Sequence, residues 1–166
     1  MEFSSVPAHL EALLTQARAE FDQFSHADWK FSRAPGKWSR VEILGHLVDS
    51  AVNNHQRIVR AAIGGGYHGP GYEQDANVRM QAYRDEAPEL VSTLWMGLNR
   101  HITHVLKQVK PSQLEFRCIV GDNPPGPLSA LVSDYVAHLE HHLRQIFEGK
   151  TVEIRYSGLP WPPVPA

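Results

Sequence analysis

Apolar residues recur at helical spacing in four stretches of the chain. The best marked begins at Lys37-Trp38-Ser39-Arg40-Val41-Glu42-Ile43, where Ser39 and Glu42 stand at capping-box spacing and Trp38 and Ile43 at that of a hydrophobic staple. Leu44, Leu47, Val48, Ala51, Ile58 and Ala62 follow along one side until Gly64-Gly65-Gly66 stops the helix. A second stretch, Pro7 to about Phe24, carries Leu10, Leu13, Leu14, Ala17 and Phe21 on one stripe, its proline in the first turn where no backbone N–H is needed. A third opens at Pro88, runs to about Val109 and places Leu90, Leu94, Leu98, Ile102, Val105 and Leu106. The fourth, Leu128 to about Glu148, places Leu131, Tyr135, Leu139, Leu143 and Ile146 and stops at Gly149. No segment alternates convincingly at the period of a strand, so the pattern predicts an all-α four-helix bundle over residues 1–150.

The connections are unequal. Residues 25–38 read as a long link, and residues 64–87 as another, with a short helix predicted from about Glu73. Residues 110–127 hold the turn Gly121-Asp122-Asn123-Pro124-Pro125-Gly126, with short extended pieces expected around Phe116 to Val120. Loops of this length in a compact domain usually cover or line something. Residues 151–166 contain Leu159-Pro160-Trp161-Pro162-Pro163, which cannot be helical, and predict an extended, proline-rich C-terminal tail, packed on its own domain or frayed.

Composition removes several classes of function. The 166 residues fit one domain, and sixteen basic against eighteen acidic side chains give a net charge of -2, without the footprint of a nucleic-acid binder or a membrane-surface helix. Cys118 is the single cysteine, which excludes an internal disulfide framework and a cysteine zinc cluster; beside Phe116 and Ile119, it reads as a packed thiol rather than a nucleophile. The opening MEFSSVPAHLEALL has no basic, apolar leader character, and a cytoplasmic protein is expected. Ten histidines stand out, and their placement decides what they are.

Each helical residue advances about 100°, so relative directions can be estimated. With His138 at zero, His142 lies at about 40°, on the margin of the apolar stripe, whereas His141 falls at about -60°, beside Glu140 and Arg144 on the polar face. The i, i+4 pair His138 and His142 is thus the better inward chelate. With His46 at zero on the second helix, Asn53 and Arg57 fall within roughly 20° and Glu42 and Ser50 within roughly 40°. A polar stripe in register beside an apolar one has the character of a pocket lining.

Neutral imidazoles suit Zn²⁺, Ni²⁺, Fe²⁺ or Cu²⁺, and an i, i+4 pair can chelate from one helix while a third group closes the site from another. Three neutral ligands leave the ion's charge in place to acidify a water or hold a thiol as thiolate. A bare H-x-x-x-H is met equally by surface or core-satisfied imidazoles, so spacing alone leaves both readings open. His9, His26, His68, His101 and His104 need no function, and no H-E-x-x-H is present, so the metalloprotease arrangement is absent.

The chain resembles the DinB-like superfamily, and more narrowly its YfiT-type members, which are similar to bacillithiol S-transferases. The resemblance is carried by K-W-S-x-x-E-I-L-G-H-L-x-D-S at Lys37–Ser50, extended through Asn53 and Arg57, and by D-Y-V-A-H-L-E-H-H-L-x-Q-I at Asp134–Ile146, within a likeness spanning roughly residues 5–150. It implies a DinB/YfiT-type four-helix bundle with long connecting loops, a divalent metal, zinc or nickel, on His46, His138 and His142, and a homodimer. Asp49, Asn53 and Arg57 match the narrower D-S-x-x-N-x-x-x-R pattern and are assigned to the catalytic site wall. Residues 64–87 and 110–127 match only at scattered positions such as Tyr72, so these loops are expected to set substrate choice.

On this reading the protein is a metal-dependent enzyme moving a low-molecular-weight thiol co-substrate to a small-molecule electrophile. Arg57 and Asn53 would bind carboxylate or amide groups of the thiol. The runner-up is metal-dependent hydrolysis of an amide or ester, for which Glu42, Asp49 and His141 are the candidate bases. A third reading is a non-catalytic, stress-related metal or small-molecule binding protein.

Overall fold

The computed structural model describes residues 1–159. Along the chain run α1 (Val6–Phe21), α2 (His26–Lys30), α3 (Arg40–Gly64), β1 (Gly66–Gly69), α4 (Gln74–Gln81), α5 (Pro88–Leu106), β2 (Arg117–Val120), β3 (Gly126–Pro127) and α6 (Leu128–Ile146). The four long helices α1, α3, α5 and α6 form the expected bundle, in which α3 packs against both α5 and α6, and α1 against α5.

Local sequence explains the helix ends. The Ser39 backbone N–H donates to Glu42 Oε2 at 2.7 Å, closing the predicted capping box, and α3 ends where Gly65 takes the left-handed conformation (φ 75°). Between these caps α3 is 25 residues long, so one straight helix passes the whole depth of the bundle. The interior is filled by Leu10, Leu13 and Leu14 of α1, Leu44, Leu47 and Ile58 of α3, Trp95, Ile102 and Leu106 of α5, and Leu128, Tyr135 and Leu139 of α6. Phe21, Phe24, Trp29 and Phe147 pack ring against ring at one end, with centroids 4.9 to 6.1 Å apart.

The structure departs from the pattern in identifiable places. On α5 the buried hydrophobic residues include Val91, Trp95, Met96, Ile102 and Leu106, while Leu90 and Leu94 stay 47% exposed. Two apolar stripes lie one residue apart there, and the larger side chain, Trp95, takes the core. The link 25–38 contains α2, started by Ser25, whose hydroxyl and backbone N–H both bond Asp28. Helices α1 and α5 end at Phe21 and Leu106, a turn before the expected Phe24 and Val109.

The two long loops meet. Strand β1 pairs in parallel with β2, Gly66 opposite Arg117 through Gly69 opposite Val120, and β2 pairs antiparallel with β3, which leads directly into α6. The extended pieces expected near Phe116 to Val120 correspond to β2; β1 had no alternating signature to announce it. The predicted helix near Glu73 is α4. Beyond α6, residues 151–159 lie without regular structure along α1 and α6: the Arg155 N–H donates to Gln16 Oε1 at 2.9 Å, and Ser157 bonds Glu140. The remainder of the expected proline-rich tail, residues 160–166, lies outside the described residues. No described helix is long and apolar enough to cross a membrane.

Candidate metal centre

His46 comes from the second turn of α3, and His138 and His142 from successive turns of α6. All three are buried. Each offers a ring nitrogen within 4.8 Å of the others, and ring centroids are 5.0 Å (His46 to His138), 4.7 Å (His46 to His142) and 4.5 Å (His138 to His142) apart. His46 Nε2 and His138 Nε2 are 3.0 Å apart. Two nitrogens bound about 2.1 Å from one ion lie roughly 3.0–3.4 Å apart, so this pair already has a chelate's spacing.

What positions the rings is visible in their other atoms. His142 Nδ1 lies 3.0 Å from Gln145 Oε1, and the Gln145 amide nitrogen is 2.8 Å from His141 Nε2, which fixes which way the Gln145 amide faces. His138 Nδ1 lies 3.3 Å from the Ser50 hydroxyl. Both partners occupy Nδ1 and leave Nε2 for the centre, the arrangement in which an outer hydrogen bond orients a ligating imidazole. Trp38 packs on the His46 ring at 5.1 Å, and Tyr72 lies 6.4 Å from it.

Burial sets the charge. Loss of hydration lowers the His46 pKa to about 4, with Asp75 opposing weakly, and lowers His142 to about 3, helped by neighbouring His46. His138 falls to about 2, through burial first and then the proximity of His142 and His46. All three imidazoles are neutral at pH 7, the form that binds metal. His46 Nδ1, the ring nitrogen turned away from the His138 contact, is buried with no hydrogen-bond partner among the described residues. The donor set fits a divalent transition-metal cation.

A cavity of about 880 Å³ opens beside the histidines. His138, Ser50, Asn54 and Arg57 line it from the bundle, and Tyr72, Cys118, Val120 and Asn123 from the two long loops, with Leu159 at its edge. A second depression of about 690 Å³, around Arg33, Lys37, Trp38 and Arg84, contains none of the three histidines.

The sequence-predicted residues separate on this geometry. His46, His138 and His142 come together, and Arg57 faces the cavity. Asp49 turns the other way: its Oδ1 accepts from the Tyr83 hydroxyl at 2.8 Å and from the Gln81 amide, and burial raises its pKa. Tyr83 reaches it because Gly45 has no side chain; a Cβ there would lie 2.1 Å from the Tyr83 ring. Asn53 is half-buried and donates to the Asp49 carbonyl at 2.9 Å, outside the cavity lining. Glu42 is held in the α3 cap and beside Arg84, and His141 on Gln145. Asn54, Tyr72, Gln145 and Asp134 are the site residues that spacing did not single out; Asp134 lines the cavity one turn before His138.

The DinB superfamily model matches residues 9–146. The chain belongs to the DinB superfamily. Among solved structures, it is similar to YfiT from Bacillus subtilis, described as a probable metal-dependent hydrolase with an unusual four-helix bundle topology, at 18% identity and a TM-score of 0.80 over 88% of this chain and 84% of that one. It is also similar to the mycothiol-dependent maleylpyruvate isomerase, at 10% identity and a TM-score of 0.73, covering 92% of this chain and spanning 62% of the isomerase. A DinB-like protein of Bacillus subtilis matches at 13% identity and a TM-score of 0.56 over 92% of this chain and 96% of that one. At these identities the likeness is one of fold. No curated protein sequence matches the chain.

Proposed function

We propose that this DinB superfamily protein is a divalent-metal-dependent enzyme that transfers a low-molecular-weight thiol to a small electrophile, with zinc or nickel held by His46, His138 and His142. The observation that carries the reading is three neutral, buried imidazoles that converge on one another, one of them, His138, in the wall of a cavity sized for a small molecule. A bound ion on three neutral ligands would supply the charge that keeps a sulfur as thiolate at neutral pH. The protein supplies the rest. Ser50 and Gln145 orient His138 and His142, Tyr72 presents a phenol that burial keeps protonated, its pKa raised to about 12, and Arg57 offers a guanidinium to polar groups of the bound molecules.

Hydrolysis is the second reading, and a specific observation favours keeping it. It needs a general base beside the metal. Glu42 caps α3, Asp49 accepts from Tyr83 and His141 contacts Gln145; Asp134 is the carboxylate that lines the cavity, one helical turn from His138. Occupancy without turnover is the third outcome the test must admit.

Metal analysis of the wild type against His46→Ala, His138→Ala and His142→Ala should show metal in the first and little in the variants; equal metal in all four sinks the centre. Bacillithiol, mycothiol, glutathione and cysteine are then each paired with a generic electrophile, beside ester and amide substrates. Metal-dependent thiol consumption supports transfer. Hydrolysis without thiol consumption, abolished by Asp134→Asn, reverses the ranking, and silence in both arms leaves a binding protein.

A further inference from the structure

Two arginines of α3 are buried, and they are treated differently. Arg40 donates to the carbonyls of Ile146, Glu148 and Asp28 and lies beside the Asp28 carboxylate. Arg57, 7% exposed, reaches only Asn54 Oδ1 and the Pro70 carbonyl, each at 3.4 Å, and no carboxylate among the described residues forms an ion pair with it. A guanidinium has five N–H donors and a charge that is costly to remove from water without a partner. Asp134 lies in the same cavity wall but not within ion-pair distance of Arg57. Among the described residues, therefore, the Arg57 charge at the cavity wall has no carboxylate in an ion pair with it.

The rest of the lining gives the ligand a shape. Ser50, which holds His138, and Arg57 are seven residues apart on one helix, a rise of about 10 Å, and a helical side chain leans back toward the N-terminus. Val120, Pro124, Ala130 and Leu131 present apolar surface to the same cavity.

We propose that the cavity takes an organic anion, with a carboxylate, sulfonate or phosphate in the Arg57 fork, a short apolar middle, and its other end at His138. The proposal rests on the thiol-transfer reading only for which atom would lie at His138; the anion subsite itself does not need that reaction. Arg57 is then a substrate-binding residue whose open charge is the selectivity device.

The test titrates the purified full-length protein, with its metal content measured, with hexanoate, hexanesulfonate and hexyl phosphate, each against neutral hexanamide, by calorimetry. At least one anion is expected to bind tenfold or more tighter than the amide, and the three arms rank the headgroups. Arg57→Gln should remove that preference without lowering the urea midpoint, because a buried charge without a carboxylate is being relieved. Arg57→Lys, which keeps the charge but not the fork, should retain part of it. Equal binding of anions and amide to the wild type overturns the proposal. So does a preference that survives Arg57→Gln, which would put the anion on the metal instead. A failed thiol panel beside an intact, Arg57-dependent anion preference removes the reaction and leaves the subsite.

Discussion

Arg40 Nε donates to the Ile146 carbonyl at 2.7 Å, joining the first residue of α3 to the last residue of α6. The same guanidinium takes the Glu148 carbonyl at 2.7 Å. A helix C-terminus leaves carbonyls unsatisfied, and a buried cation is a strong partner for them. Ile146 is one turn past His142, and Arg40 less than two turns before His46, so this clamp sets the register in which His46 faces His138 and His142. Arg40→Ala should destabilise the protein by about 2–4 kcal/mol, from lost charge-assisted bonds and buried carbonyls left unpaired. It should also weaken metal binding although Arg40 touches no ligand. Urea denaturation and a metal titration read the two effects, and unchanged affinity in a destabilised variant would refute the register argument.

Gln145 gives a narrower prediction. Its carbonyl oxygen faces His142 Nδ1 because its amide nitrogen is taken by His141. Gln145→Ala should lower metal affinity roughly 10- to 100-fold, the usual range for losing an outer partner of a ligating imidazole, with little change in stability. His141→Ala acts through Gln145 and should have a smaller effect in the same direction. Competition with a chromogenic chelator measures both; a larger loss for His141→Ala would instead make His141 a ligand.

Much of this was legible in the chain, for physical reasons. Helical arithmetic separates His142 from His141 because their directions, about 40° and -60° from His138, differ by about 100°, and the structure keeps that order. The same arithmetic could not choose a side of His46. Ser50, Asn54 and Arg57 lie at about 40°, 80° and 20° and line the cavity, whereas Asp49 and Asn53, at about -60° and -20°, fall toward Tyr83 and α4. Which side opens depends on where the loops return, and that is decided by the parallel pairing of β1 with β2, two segments 51 positions apart with no alternating pattern. The Leu90 and Leu94 stripe misleads for a similar reason: two apolar faces compete, and only packing inside the bundle, where Trp95 meets Phe21 of α1, selects Trp95.

Acid should destabilise the metal-free protein in a defined window. The three imidazoles titrate near 6.5 in an unfolded chain and at about 4, 3 and 2 when folded, for His46, His142 and His138. Below pH 6.5 the unfolded state therefore binds more protons, and stability falls as pH falls. The contribution is fully present above about pH 7 and is lost progressively from pH 6.5 toward 4 and below, by on the order of 1 kcal/mol per pH unit for each imidazole. Urea midpoints of chelator-treated protein at pH 7.5, 6.0 and 5.0 check this. Replacing His138 by Leu should flatten the slope, and a profile level down to pH 5 would mean the rings are hydrated in solution.

Glu140 ties the last described residues to α6. Its carboxylate is fully buried, one turn from Arg144 and between the two α6 ligands in sequence, and accepts from the Ser157 N–H at 2.7 Å, the Ser157 hydroxyl at 2.9 Å and His9 Nε2 at 2.6 Å. Tyr156 adds its ring beneath the Arg144 guanidinium at 4.2 Å, and three residues further on Leu159 reaches the cavity edge. A buried carboxylate stripped of donors is costly, so the segment and the helix stabilise each other. Ser157→Pro removes both Ser157 donors at once. It should cost about 1–3 kcal/mol, speed proteolysis within residues 151–159, and weaken binding of ligands that contact Leu159. Glu140→Gln keeps the shape, loses the charge assistance and should show a milder form of the same changes. If Ser157→Pro digests no faster than the wild type, the segment is held by Tyr156 and its apolar neighbours rather than by Glu140.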